Sequence, residues 1–442
     1  MRYAYQAKGN VKINDRELLA MVSGKELPRK ILNSFKSGMV GDVTFKLIAN
    51  VVSTIIRNII VLPVLARYFT NTQYGQLVTV IGVITTITAG LGNALLSTRL
   101  VMESEYKKSH VEGDFNLICI IVSLVSVVFT IPIAIYFSSI SGVQVLFTGN
   151  ILFLETYVGY HSGWFILKQA YRKLLVYTLV GGIGFGVGIL LTKFTGFWTL
   201  TYMCSDILSC AFLFFLSPLV KEKRSFTKIL KITLSKYWLL FLTTIITNAL
   251  AYLDRLLLYP LIGSEAVATY TTASVFGKAF NLIAIPVSSI LLGYYATERI
   301  KLTKKKFWII NGITLVLLGA FILVTRVIGV WFTGILYPTI IDDARPYILI
   351  ANLSSALGAS AQITKSAALK YAKTYWTLII QITYAAIYAG GGFLAAKSGG
   401  LREFAEVILV ANVVQLIVLY IVCNKSLSQF EMRSDLLKRR RQ

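Results

Sequence analysis

The sequence predicts an all-α integral membrane protein, with twelve transmembrane helices arranged as two six-helix bundles around a central cavity. Three observations carry this. Hydrophobic residues make up 56% of the 442 and charged residues 14%, where an ordinary soluble domain carries about 25% charged residues; mean hydropathy is +0.69. Beyond residue 43 the chain falls into apolar runs of about 20 residues, the length a helix needs to cross a bilayer core. The connecting segments then alternate between basic and nearly charge-free. The same composition excludes an intrinsically disordered chain, a disulfide-stapled secreted fold and, despite a net charge of +24, a nucleic-acid binder.

Taken in order, residues 1–43 are polar and basic. No apolar run in them leads to a small-residue cleavage site, so no cleaved signal peptide is expected. Ile31, Phe35 and Met39 fall at helical spacing among Lys30 and Lys36. That reads equally as a helix on the inner membrane surface and as a solvated lead-in. The spans are placed at 44–66, 76–98, 115–137, 143–167, 174–192, 197–219, 236–259, 267–295, 307–325, 346–369, 374–396 and 403–424. Glu155 and His161 interrupt the fourth and polar residues dilute the tenth, so these are the weakest. The apolar piece 327–337 is too short to cross; it extends span nine or lies in the interface. The chain thus divides into a cytoplasmic basic segment 1–43, a first six-helix half 44–220, a cytoplasmic linker 221–235, a second half 236–424 and a cytoplasmic basic tail 425–442.

Charge tests the count. With the N-terminus inside, the inner segments hold 34 of the 44 basic residues. The outer loops hold Arg67, Lys193, Arg326, Arg345, Lys397 and Arg402, while Lys46, Arg57, Arg255 and Lys278 fall within spans. This is a strong positive-inside bias, which puts both termini in the cytoplasm. It also explains the net charge, since most of it faces anionic inner-leaflet lipid.

The halves echo each other. Leu62–Gly75 reads LPVLARYFTNTQYG and Tyr259–Thr271 reads YPLIGSEAVATYT; a tyrosine follows eleven residues after Pro63 and ten after Pro260. Six spans per half make this a parallel repeat about an axis along the membrane normal. With the pair Asp254-Arg255 and the stretches LIGSEAVATYTTAS and IPVSSILLGYYATER, these features resemble the Wzx-type polysaccharide-lipid flippases. Those belong to the multidrug/oligosaccharidyl-lipid/polysaccharide (MOP) exporter superfamily. The resemblance covers about residues 40–425. It implies a flippase in a bacterial inner membrane that moves an undecaprenyl-diphosphate-linked oligosaccharide to the outer leaflet for surface polysaccharide synthesis. Glycosyltransferases and a polysaccharide polymerase would be its partners. It implies no cofactor; coupling would run on a proton or sodium gradient or on the membrane potential. A multidrug or cation exporter of the same superfamily is the alternative. A membrane polymerase or ligase is a third, weakened by the shortness of the outer loops.

The intramembrane polar residues can be read independently of the resemblance. A charge at the bilayer centre costs about 2.5–3.5 kcal/mol on insertion scales, so such residues face a cavity or a partner. Lys46, Asn50, Ser53 and Arg57 form one stripe of span one. Thr244, Asn248 and Arg255 form a second on span seven, with Asp254 beside it. Thr271, Ser274, Lys278 and Asn281 form a third on span eight, with Pro286 able to kink the helix below. One reading makes these cations structural, snorkelling or paired with Asp254, Glu155 or Asp206. The other lines a central cavity with them, where Arg57, Lys278, Arg255 and Lys46, helped by Asn50, Asn248 and Asn281, bind an anionic headgroup. Asp254 reads most simply as a local pair with Arg255, with proton coupling at Asp254 or Glu155 as the sharper alternative. Gln381, Tyr384 and Tyr388 share one face of span eleven and read as packing or as a sugar-stacking wall. Cys119, Cys204, Cys210 and Cys423 lack metal or redox spacing, and His110 and His161 are too few for a metal site. Gly182, Gly184, Gly186 and Gly188 read as a close-packing face, and no phosphate-binding loop for ATP is present.

Overall fold

The computed structural model describes residues 38–138, 140, 142–296 and 302–439; the N-terminal stretch with Ile31 and Phe35 lies outside them. Among the described residues every regular element is a helix. The twelve spans are α1 (Thr44–Tyr68), α2 (Asn71–Ser109), α3 (Phe115–Ser138), α4 (Val143–His161), α5 (Tyr171–Thr195) and α6 (Thr199–Leu216), followed by six more. These are α7 (Leu230–Ala251, then Leu253–Leu261), α8 (Ser264–Ala273, then Val275–Ala296), α9 (Lys304–Leu336), α10 (Ile348–Tyr371), α11 (374–399) and α12 (401–439). Gly400, at φ 75° and ψ −152°, makes the corner between the last two. Residues 327–337 continue α9 through a π turn at Thr325–Gly329.

Among the described residues, nine stretches are apolar and long enough to cross a membrane on length and composition, and one of them, Tyr375–Met432, is α11 and α12 together. The two spans that miss this criterion are α4 and α10. For α10 the reason is its place at the centre of the second half, between α8 and α12. A helix that lipid hardly touches can be built from small and polar residues that let its neighbours approach. A Cβ on Gly277 would lie 2.5 Å from the Asn352 carbonyl oxygen. On α5 a Cβ on Gly184 or Gly188 would come within 2.5 Å of the α6 backbone, so the close-packing face holds for these two; a Cβ on Gly182 would meet only the Ile56 side chain and one on Gly186 nothing within 4 Å.

The first half gathers α1 to α6, with α5 on α6 and α1, and α4 on α2, α3 and α6. The inner piece of α7, Leu230–Ala251, packs along α2. Ile245 fills the space over Gly90, and the Tyr237 hydroxyl donates to the Leu91 carbonyl at 3.5 Å. Although 236–424 forms the second half in chain order, packing therefore assigns this piece to the first. The helix breaks at Tyr252 (φ −115°, ψ 12°), and its outer piece joins α8 and the α11–α12 corner. A matching break in α8 lies at Ser274, while the helix runs unbroken through Pro286, the predicted kink. The Asn352 side chain bridges that break. Its Nδ2 donates to the Ala273 carbonyl at 2.8 Å and its Oδ1 accepts from the Gly277 amide.

The linker between the halves is pinned to the inner ends of α2 and α3. Arg99 donates to both carboxylate oxygens of Glu222 at 2.9 and 2.7 Å. Asn116 donates to the carbonyls of Leu219 and Glu222 at 2.8 and 3.0 Å. Buried Asp114 accepts from the Tyr106 hydroxyl at 2.5 Å, the Thr227 amide at 2.7 Å and the Thr227 hydroxyl.

At the outer end the two repeat-related turns meet. Thr70 and Gln73 form a capping box that starts α2. Thr72 Oγ1 donates to Glu265 at 2.7 Å and Asn71 Nδ2 to Asp343 at 3.3 Å. Arg67 donates to the Ile335 carbonyl at 2.5 Å. A Cβ on Gly75 would sit 1.8 Å from the Ser264 carbonyl oxygen, so only glycine allows the turns to touch. Among the described residues the cysteines are free, Cys119 and Cys423 buried and Cys204 and Cys210 half-buried.

Candidate functional site

Five of the intramembrane charges line two cavities. The larger, about 250 Å³, lies inside the first half and is lined from α1, α2, α4, α5 and α6. Arg57 enters it from a π turn, Ile56–Val61, in which the Leu62 amide bonds to the Arg57 carbonyl. Arg57 Nη1 donates to Glu155 Oε1 at 3.4 Å, and the guanidinium lies 5.7 Å from the Phe185 ring centre. Buried Asp206 lines the same space, with Ser53 and Tyr177. One cavity therefore holds two carboxylates and one guanidinium, which pairs with Glu155.

This corrects the expected direction of the first stripe. Its face points into the first half, not between the halves. The polar residues of α1 that line the cavity between the halves are Thr54 and Asn58, each one position on from Ser53 and Arg57 and so turned by about 100°. Lys46 lies at the inner end of α1, 5.9 Å from the Tyr171 ring centre, and Asn50 is exposed; neither lines either of these two cavities. Glu155 has its partner on another helix.

The smaller cavity, about 30 Å³, lies between the halves and is lined by Thr54, Asn58, Arg255, Thr271, Lys278 and Tyr337, among others. Asp254 is paired with Lys278, Nζ to Oδ2 at 2.8 Å, and its Oδ1 accepts from the Arg255 backbone amide at 2.9 Å. The predicted side-chain pair of Asp254 with Arg255 does not form. Neighbouring side chains on a helix diverge by about 100°, and Arg255 reaches the other way, to the Val78 carbonyl on α2 at 3.2 Å. Gly82 makes room for it, since a Cβ there would lie 3.3 Å from Arg255 Cδ. The guanidinium packs 5.2 Å from the Tyr252 ring centre. Arg255 is buried, its Nε has no partner, and no carboxylate pairs with its guanidinium among the described residues. Thr271 Oγ1 is likewise buried without a partner.

The other predicted residues sit apart. Asn248 donates to the Thr244 carbonyl of its own helix at 2.8 Å, and Asn281 is half-buried on α8. Tyr384 and Tyr388 contact edge-on at 5.6 Å on the face that carries Gln381. One cation was missed. Lys365, counted with the inner loop, lies inside α10 and donates to Gln381 Oε1 at 3.1 Å. The signal was available: a lysine four residues before the end of the apolar run 346–369. No cluster of three or more His, Cys, Asp or Glu able to hold a metal occurs among the described residues.

Comparison of the backbone with solved structures decides the fold. An inward-facing multidrug resistance MATE family transporter of the MOP superfamily superposes with a TM-score of 0.60 at 14% identity, covering 88% of this chain and 96% of that one. The outward-facing form of such a transporter gives 0.58 at 15%, with the same coverage of both chains. An aspartate-to-asparagine mutant of the Vibrio cholerae MATE transporter VcmN gives 0.60 at 14%, again over 88% and 96%. The chain has the MATE fold. No protein-family model matches the sequence, and no curated sequence matches it. In this MATE fold, Arg57, Glu155 and Asp206 occupy the interior of the first half, and Arg255, Asp254 and Lys278 stand where the halves meet.

Proposed function

We propose that the protein is a secondary transporter of the bacterial inner membrane that exposes its central cleft alternately to each side, and that its cargo is anionic. The carrying observation is Arg255. A buried guanidinium on the cleft wall with no carboxylate leaves a positive charge and a free donor for an incoming anion, beside a Lys278 already matched by Asp254. Arginine's planar fork suits a phosphate. Taken with the resemblance of the sequence, this favours an undecaprenyl-diphosphate-linked oligosaccharide. The diphosphate and sugars would enter the cleft while the lipid stays in the bilayer. Glycosyltransferases would supply the cargo and a polymerase would consume it. Coupling falls to the cavity of the first half. Glu155 and Asp206 exceed Arg57 by one charge there, which a proton or a sodium ion would balance; the membrane potential would act on the same groups.

A second reading, a multidrug exporter of cations, has its own support. The similar structures are described as multidrug resistance transporters, and the surplus of carboxylate in the first half would suit a cationic cargo. Proteoliposomes separate the two. A polyprenyl-diphosphate-linked trisaccharide and a cationic dye are offered to the wild type, Arg255→Ala and Arg255→Glu. The flippase reading expects movement of the glycolipid, a loss of about tenfold or more in Arg255→Ala, the loss of one charged hydrogen bond, and a further loss in Arg255→Glu. Dye transport that rises in Arg255→Glu, with no glycolipid movement by the wild type, would establish the exporter instead.

A further inference from the structure

Lys365 is an intramembrane cation that the proposed phosphate site does not use. Among the described residues it has no acidic partner; its one recorded bond is to the neutral amide of Gln381, and it is only half-buried. A lone charge at this depth is costly unless something solvates or pairs with it. Its height can be read from the packing of α8 on α10. Gly277 lies against Asn352 and Ser355, so Lys278 is level with about Ser355. From there to Lys365 is ten residues of helix, or about 15 Å towards the inner side at 1.5 Å per residue. A diphosphate is far too short to touch Arg255 or Lys278 and Lys365 together.

The wall between these points is suited to sugars. On α11, Gln381, Tyr384 and Tyr388 share the face turned away from the exposed Ile382, Thr383 and Ala386. Tyr384 and buried Tyr388 pack in the same cluster as Leu253 and Leu257 of the outer α7 piece, which carries Asp254, the partner of Lys278. One strip thus runs from Lys365 past an amide and two phenol rings to the Asp254–Lys278 pair. Aromatic faces and amides are the groups that sugar rings stack on and bond to; unpaired Lys365 stands at one end, and the matched Asp254–Lys278 pair, next to Arg255 in the chain, at the other.

We propose that the oligosaccharide carried is acidic, its carboxylate or phosphate substituent received by Lys365 while the diphosphate is held at Arg255. This inference rests on the flippase reading above and narrows its substrate class. The test uses the full-length protein in proteoliposomes. Two polyprenyl-diphosphate-linked trisaccharides are compared, one ending in glucuronate and one in glucose. The wild type is expected to move the glucuronate compound roughly tenfold faster, the worth of one charge-assisted pairing. Lys365→Met brings that ratio close to one and Lys365→Arg preserves it. Gln381→Glu removes the preference as well, by pairing with the lysine rather than deleting it. Equal rates for the two compounds in the wild type would overturn the acidic-glycan inference and leave the flippase reading standing. So would an equal slowing of both compounds in Lys365→Met, the mark of a structural role. A wild type that moves neither compound while carrying a cationic dye would remove the flippase reading and this inference with it.

Discussion

Arg57 shows how a single intramembrane charge is kept. Its guanidinium pairs with Glu155 in a cavity that Asp206 also lines, with Phe185 against one side. Truncation to alanine would leave two carboxylates facing each other in a small cavity. Breaking a fully buried pair costs about 3–5 kcal/mol; with 39% of the Arg57 side chain exposed, about 2 kcal/mol is the better expectation. Arg57→Ala should therefore lower the melting temperature in detergent, and Arg57→Ala with Glu155→Gln should recover part of it. A double variant no more stable than the single one would show that the pairing is not what holds Arg57 in place. At this scale the sequence is half legible. That Glu155, Arg57 and Lys278 are committed to something follows from the cost of charge in a membrane. Which partner each takes does not, because Arg57 and Glu155 are 98 residues apart. Adjacency in sequence misleads for Asp254 and Arg255, whose side chains leave the helix in different directions.

Spans are more legible than their interruptions. Apolar length alone places most of the helices. For α10 it falls short because a helix enclosed by α8 and α12 is selected for small size rather than for hydropathy. The breaks at Tyr252 and Ser274 carry no proline or glycine, whereas Pro132 and Pro286 sit inside unbroken helices. Neighbouring helices and hydroxyl side chains satisfy backbone groups that a proline frees in a membrane. The echo between Leu62–Gly75 and Tyr259–Thr271, visible in the sequence, turns out to mark the place where the halves touch. Gly75→Val would drive a side chain into the Ser264 carbonyl and part that seam. In a cysteine-free background, Val78→Cys, at a fully buried position one turn in from Gly75, should react slowly with a membrane-impermeant thiol reagent from outside, and severalfold faster once Gly75→Val is added. Unchanged labelling would mean that the outer closure does not depend on this contact.

For the whole molecule, the charge asymmetry makes a topological prediction. With 34 of 44 basic residues assigned to one side, reporters fused after Gln442 and near Lys301 should both read cytoplasm; an outside signal from either would break the twelve-span arrangement. Moving Lys365 from the inner loop into α10 lowers the inner count by one and leaves the asymmetry intact. What charge counting could not supply is the division into packed halves, because the inner piece of α7 follows the linker in sequence and the first half in space. The π turns have a further consequence. Three occur among the described residues, at Ile56–Val61, Thr325–Gly329 and Ile387–Gly391. Each holds one residue more than an α-helical turn, so the side chains beyond it are rotated by about 100° relative to an uninterrupted helix. The axis of the span barely notices. A relative lacking one of these turns would follow the same path through the bilayer, yet aligning the two sequences would require a one-residue gap in the middle of a membrane helix. Ancestry in this chain is then easier to trace by the course of the backbone than by the letters along it.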